Sequence, residues 1–323
     1  MNRFEFARAT SIAEAFDLAA ERPGSVFKAG GIDLLDHLKE HLSEPPRIVD
    51  LKAIPGLSAI AEEADGGFRI GPLVTLAQVA AHPALRANHA ALTQACGEAA
   101  SPQIRNVATI GGNLLQRPRC WYYRLESFRC LKKGGDICFA VGGQNRYHTI
   151  FGDGPCNAPH PSNAAVALVA LGASLTFAGT QGTRTVSAER FFALPSADPQ
   201  RENNLQPGEI LSEIKVPAAP RVRSTYASVC ERAAFDWPLV SAAVALRTEG
   251  GLVREARIVL GAVATRPWRS PAAERALVGR RPDGATVEAI AQAAVAGAQP
   301  LSENGYKVEL AKVLLGRTLA ATT

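Results

Sequence analysis

The sequence is defined first by what it lacks. No apolar run approaches the ~18 to 20 residues that a helix needs to cross a bilayer. No block of five like charges occurs, and 35 Lys plus Arg against 30 Asp plus Glu leave a net charge of only +5, so charge balance gives no reason to expect a nucleic-acid partner. The N-terminus carries Glu5 and Glu14 and never builds the apolar region of a secretory signal, so the chain is not expected to export itself. There is no G-x-G-x-x-G after a strand and no G-x-x-x-x-G-K-[ST], which argues against a Rossmann NAD site and a P-loop. The six histidines form no H-E-x-x-H, and no G-x-S-x-G elbow marks a serine hydrolase. The histidines are read as surface or helix-end residues.

What is present is an ordinary globular composition, 47% hydrophobic and 20% charged over 323 residues, about twice a single domain. The pattern predicts a strand near Phe4–Phe6, then a helix opened by a capping box of Ser11 with Glu14. A strand Val26–Ala29 follows, running through Gly30-Gly31 into a helix that ends near Glu40. Thr75 with Gln78 opens another helix. Residues 103–113 read as a strand-like run closed by Gly111-Gly112. Farther on, Glu249-Gly250-Gly251 predicts a hairpin turn, and helices are expected near Pro271–Val278, Thr286–Ala296 and Glu303–Leu319. The best domain boundary is the break at Thr180–Thr183.

Two diglycines, each after a β-like run and before a short polar residue (Asp33, Asn113), suit a pyrophosphate held between backbone loops. Between them and the helix that opens at Pro161-Ser162-Asn163 lies a stretch without period, 116–159. It holds Cys120, Cys130, Cys138 and Cys156, with 9, 7 and 17 residues between successive cysteines. Zinc ribbons use close C-x(2–4)-C pairs, absent here, whereas four thiolates on a glycine-rich loop can wrap a four-iron cluster. Spacing alone leaves iron–sulfur, zinc and unligated thiols open. Cys96 and Cys230 read as small buried hydrophobes.

Taken in order, these motifs resemble the flavin subunits of the molybdenum hydroxylases, the family of xanthine dehydrogenase, carbon monoxide dehydrogenase and aldehyde oxidoreductases. The likeness covers essentially the whole chain. It is carried by Ala29-Gly30-Gly31-Ile32-Asp33-Leu34-Leu35, by Arg105 to Leu114, by Pro161-Ser162-Asn163-Ala164-Ala165, and by Phe191-Phe192 with Leu205 to Leu211. It implies an α+β chain. A two-lobed FAD-binding domain of the vanillyl-alcohol-oxidase/MurB type would span 1–180, with lobes of about 1–55 and 56–180 and an insertion at 116–159. A C-terminal α+β domain with a three-stranded sheet and helices would span 181–323.

The resemblance further implies FAD held by Lys28, Ala29, Gly30, Gly31, Ile32, Asp33 and Leu34, by Ser101, Arg105, Asn106, Thr109, Gly111, Gly112 and Asn113, and by Ser162 and Asn163. Arg232, Asp236 and Trp237 would lie beside the flavin ring. Many family members have Ser or Thr at the place of Ile32 and Asp at that of Asn163, so those two contacts depart from the pattern.

The flavin subunits of 4-hydroxybenzoyl-CoA reductase and of periplasmic aldehyde oxidoreductases carry a 4Fe-4S cluster in a loop at the place of the insertion. That likeness makes Cys120, Cys130, Cys138 and Cys156 the implied ligands, and the tail Lys307–Leu319 favours the aldehyde oxidoreductases. The implied partners are a large subunit with the molybdenum cofactor, a small 2Fe-2S subunit and an external electron acceptor, in the cytoplasm or in the periplasm by co-export with a signal-bearing partner. A stand-alone flavin oxidase of the same fold, and a zinc-organised nucleic-acid-binding module, are the alternative readings.

Overall fold

The computed structural model describes every residue except Asp153 and Ala234. The first lobe is a β-α-β-α-β unit: β1 (Glu5–Arg8), α1 (Ile12–Ala20), β2 (Val26–Lys28), α2 (Ile32–Lys39) and β3 (Arg47–Asp50). The three strands are parallel, with β3 in the centre of the order β1-β3-β2. All four β3 residues are buried, and its two charges survive there because they are paired. Arg47 donates to Glu5, Glu21 and the Leu18 carbonyl; Asp50 takes the Lys28 ammonium at 3.2 Å. Ser11 does cap α1 by accepting from Glu14 N–H, but the Glu14 carboxylate returns to Thr10 N–H and Oγ instead, one residue earlier than the capping box predicts.

The second lobe opens with β4 (Ile60–Glu62), β5 (Phe68–Ile70) and helices α3 (Leu76–Ala81), α4 (Pro83–Asn88), α5 (Ala90–Gly97), α6 (Pro102–Arg105) and α7 (Ile110–Leu115). The Thr75/Gln78 capping box is complete in both directions. The expected strand over 103–113 is absent: the segment is two short helices, α6 and α7. Ser101 caps α6 and Thr109 caps α7, whose first turn contains Gly111-Gly112. Cap hydroxyls and Pro102 at the start of α6 outweigh the apolar run there.

Helix α8 (Trp121–Arg124) lies in the insertion, and α9 (Asn163–Ala170) follows it with all eight residues buried, the apolar-all-round helix at the centre of the molecule. Then come β6 (Ser174–Gly179), β7 (Gly182–Ser187), α10 (Ala188–Phe191) and β8 (Ile210–Val216). The five strands order as β4-β5-β8-β6-β7. The expected boundary at 180 therefore falls inside the tight β6–β7 hairpin, where Gly179 pairs Gly182. Because β8 returns to the centre of the same sheet, this domain continues through Val216.

The C-terminal domain is an antiparallel sheet of β9 (Val222–Val229), β10 (Val240–Glu249) and β11 (Leu252–Gly261), with a two-residue edge, β12 (Trp268–Arg269), added to the three expected strands. Glu249 pairs Leu252 around Gly250 and Gly251, both at positive φ, the two left-handed positions that a type I′ hairpin turn requires. Seven consecutive β10 residues are buried because both sheet faces are covered. Ala243, Tyr226 and Val259 face the second-lobe core, while Val244, Leu246, Ile258 and Leu260 pack with α11 (Pro271–Leu277), α12 (Gly284–Val295) and α13 (Tyr306–Thr322).

The insertion is stapled to all three parts. Arg124 meets Asp33 and Asp36 of the first lobe, Arg117 and Lys132 meet Glu202 of the second, and Asn145 exchanges hydrogen bonds with Glu303. Lys307, fully buried at the start of α13, donates to the carbonyls of Tyr147, His148 and Ala262.

Candidate cofactor site

The two glycine loops touch each other. A Cβ on Gly30 would stand 2.3 Å from the Val107 carbonyl oxygen, and Gly31 adopts φ +83° immediately before α2, so neither position accepts a side chain without moving backbone. The first-turn amides of α2, Ile32, Asp33 and Leu34, have no intrahelical acceptor and carry the positive end of the helix dipole, which suits an anion.

The second loop works differently. Ile110 N–H donates to Val74 O, Gly111 N–H to Pro72 O at 2.9 Å, and Gly112 N–H to Thr109 Oγ. Its amides are already used, and Gly111 is a packing requirement, since a Cβ would meet Pro72 at 2.7 Å. What this loop offers outward is Asn113, whose Oδ1 accepts from Ser162 Oγ at 2.6 Å. Arg105 is spent on the carbonyls of Ala99 and Ala100, Ser101 on its cap, and Asn106 is exposed.

Lys28 sits beneath the first loop on Asp50. Asp33 faces the insertion: it accepts Arg117 N–H, Arg119 and Arg124, each at 2.8 Å. Burial raises its carboxyl pKa, but the two guanidinium groups, His37 and the amide together hold it below its ordinary value.

From these loops, contacts lead into a cleft of about 440 Å³ between the insertion and the C-terminal domain, within the usual range of cofactor sites. Ser162 and Asn163, at the start of α9, line one side, and Arg232, Asp236 and Trp237 line the other. Ala234 of that last segment lies outside the described residues. The Asp236 carboxylate closes the turn by accepting Arg232 N–H and Trp237 N–H, and Phe235 is strained at φ 54°. The insertion reaches across to this turn three times: Arg119 lies 4.5 Å from the centre of the Trp237 ring, Tyr147 donates to Glu231 at 2.9 Å, and Arg146 pairs with Glu231 at 2.8 Å. The two loops, the cleft and the half-exposed Trp237 fit a dinucleotide with a planar ring.

The reading of the histidines fails at two of them. His37 and His89 stand at helix ends as expected, though buried, whereas His148 and His160 are buried off any helix and line the cleft. Burial pushes His148 down to about 4 and His160 to about 3, so both are neutral at physiological pH. Nε2 of His160 is buried with no hydrogen-bond partner among the described residues, a polar group that a bound ring system could satisfy. The one signal in the sequence was its place between Pro159 and Pro161.

The four predicted cysteines, far apart in sequence, line one small cavity with Tyr122, Phe139 and Lys132. Cys130 and Cys156 are 6% exposed, and burial pushes the Cys120 thiol up to about 12 and raises Cys156. No three His, Cys, Asp or Glu side chains among the described residues converge closely enough for a single metal ion. Thiolates that each hold a different iron stand farther apart than ligands of one ion, so four cysteines around one cavity suit a cubane in donor type and number. Cys96 is buried as expected, while Cys230 is half-buried at the foot of the Arg232–Trp237 turn.

Comparison with known proteins gives the same picture. The family described as FAD binding domain in molybdopterin dehydrogenase matches residues 2–219, and that described as CO dehydrogenase flavoprotein C-terminal domain matches 225–322. The chain is 36% identical to the aldehyde oxidoreductase FAD-binding subunit PaoB of Escherichia coli (strain K12), over 99% of this chain and 98% of that one. It superposes on carbon monoxide dehydrogenase from Hydrogenophaga pseudoflava with a TM-score of 0.77 at 28% identity, covering 99% and 97% of the two chains. On quinoline 2-oxidoreductase from Pseudomonas putida 86 the TM-score is 0.79 at 24% identity, again over 99% and 97%, a likeness of fold. A zinc-organised nucleic-acid module is overturned by these matches. The chain belongs to the FAD-binding medium subunits of the molybdenum hydroxylases, oxidoreductases of the xanthine dehydrogenase family.

Proposed function

We propose that this chain is the FAD-carrying electron-transfer subunit of a molybdenum-dependent, aldehyde-oxidoreductase-type complex. In this reading the substrate is oxidised on a large subunit that holds the molybdenum cofactor. Electrons arrive through 2Fe-2S clusters of a small subunit and leave to an external acceptor. The likeness to an aldehyde oxidoreductase subunit over the full chain supports the aldehyde class. We place the subunit in the cytoplasm, or in the periplasm by co-export with a signal-bearing partner.

The observation that carries the reading is the pair of touching glycine loops, joined through the Asn113–Ser162 hydrogen bond to the cleft that Trp237 lines. The amides of Ile32, Asp33 and Leu34 would hold the pyrophosphate, and Asn163, His160 and Trp237 would surround the ring. Bound FAD would supply exchange between two-electron and one-electron chemistry, which the side chains alone cannot. Arg119 and Trp237 pack together at the cleft, where they would shield one side of a bound ring.

We also propose that Cys120, Cys130, Cys138 and Cys156 hold a 4Fe-4S cluster. The enclosing aromatic shell of Tyr122, Phe128 and Phe139 and the nearby Lys132 favour it, one limiting solvent and the other offsetting the negative charge of a thiolate-ligated cluster.

The test is an anaerobic absorption spectrum of the purified chain with iron analysis, before and after Cys130→Ser. Flavin bands near ~450 nm with a broad shoulder, and about four irons per chain lost in the variant, are expected. Flavin without iron would keep the FAD assignment and remove the cluster. Aldehyde oxidation by the isolated chain would replace the electron-transfer reading with a stand-alone flavin oxidase.

A further inference from the structure

The cysteine cavity and the flavin cleft share a wall, and Cys120 lines both. Beside it stands His148, with Nε2 3.3 Å from Cys120 Sγ. The histidine is 1% exposed and its position is fixed from behind: its carbonyl accepts from Lys307 Nζ at 3.0 Å and Asn304 Nδ2 at 3.1 Å. From the side, its ring meets Trp121 edge-on at 5.1 Å. Nδ1 is buried beside the Asn145 backbone and makes no hydrogen bond of good geometry among the described residues, so the contact to Cys120 Sγ is the one well-formed hydrogen bond of the ring. A ligating thiolate only accepts, which puts the proton of this contact on Nε2.

We infer that His148 is a positioning residue for the proposed iron–sulfur cluster, its Nε2–H donating to the Cys120 thiolate and raising the cluster's reduction potential on the side that faces the flavin. The inference rests on the cluster reading above. Hydrogen bonds to ligating sulfur stabilise the added negative charge of the reduced form, and they are one of the protein's main controls over cluster potential. The backbone amides of Tyr122 and Tyr123 also reach the Cys120 sulfur and that of Ala158 the Cys156 sulfur, and at Cys138 the donor is the Asn157 side-chain amide, at a longer 3.6 Å. His148 is the side-chain donor at the sulfur that borders the cleft.

The experiment compares the full chain as wild type, His148→Phe and His148→Gln, whose amide nitrogen can occupy the place of Nε2. Iron content is measured first, then an anaerobic redox titration follows the cluster by electron paramagnetic resonance and the flavin by absorbance. At the potential where the wild-type cluster is half reduced, His148→Phe is expected to raise the oxidised-to-reduced ratio roughly tenfold, a shift of about 59 mV for one electron. His148→Gln should restore most of it.

A second measurement needs no variant: pulsed resonance on wild type labelled with ¹⁵N-histidine should show one weak nitrogen coupling to the reduced cluster. Full iron with an unchanged ratio in His148→Phe would overturn the inference and leave the cluster in place. So would the absence of coupling, or a coupling as strong as that of a directly ligated imidazole. Should His148→Phe lose iron, the labelled wild type decides. A wild-type chain without iron would remove the cluster reading, and this inference with it.

Discussion

Asp33→Asn is the sharpest perturbation of the junction between the first glycine loop and the insertion. The carboxylate is 17% exposed and accepts three charge-assisted contacts of 2.8 Å, from Arg117 N–H, Arg119 and Arg124. Asparagine keeps the shape and one carbonyl acceptor but turns an NH₂ group toward two guanidinium groups that are themselves 22% and 11% exposed. Removing one partner of such a buried pair costs on the order of 3 kcal/mol or more. Asp36 retains part of the attraction, with Arg124 at 2.8 Å and Arg119 at 3.5 Å, so about 2 to 3 kcal/mol is the expected loss.

The loss falls on opening of the insertion, so hydrogen exchange of the backbone amides over 117–124 should speed up by roughly 30-fold to 150-fold. The acid dependence has a definite sign. Because the folded carboxyl lies below its unfolded value of about 3.9, its stabilisation is present above that pH and is lost as pH falls through the lower folded value. Exchange in Asp33→Asn within about threefold of wild type would refute the clamp.

Gly30→Ala places a Cβ 2.3 Å from a carbonyl oxygen that belongs to the opposite loop's backbone, so the loops must separate; FAD retention through gel filtration should fall by at least tenfold, and unchanged retention would show that the loops yield freely. His37 and His160, held at about 4 and about 3 by burial, bind fewer protons folded than unfolded between those values and about 6.5. Stability should therefore fall as pH drops below 6.5, by about 1.4 kcal/mol per pH unit for each histidine, and His160→Phe should reduce that slope; a flat profile in denaturant titrations from pH 6.5 to 5 would contradict it.

Legibility in the sequence followed locality. The Gly250-Gly251 turn, the Thr75/Gln78 box and Gly30-Gly31 before α2 depend on residues a few positions apart, and each stands where the pattern puts it. Residues 103–113 looked like a strand because their apolar content was visible, while the force of two cap hydroxyls, Ser101 and Thr109, was not weighed against it. The hairpin across 180 is hidden because β6 pairs on its other side with β8, some thirty to forty residues later, a long-range pairing that no local period announces.

Among the site residues, the cysteines could be nominated by identity and then fall around one cavity. The Asp33 carboxylate is spent on the insertion, on Arg117 N–H and the Arg124 side chain 84 and 91 positions away, a pairing no local pattern announces, which leaves its backbone amide for the first loop. His148 and His160 escaped notice because burial, not spacing, makes them part of the cleft. Neutral buried histidines carry no motif.

The central claim is that this chain passes on electrons that it does not itself extract. The complex purified through a tag on this chain, and the isolated FAD-loaded chain, should each be mixed anaerobically with an aldehyde in a stopped-flow spectrometer. Flavin bleaching in the complex at least as fast as turnover, with none in the isolated chain, is the predicted result. Bleaching of the isolated chain at the same rate would contradict the account and place substrate oxidation in the cleft beneath Trp237.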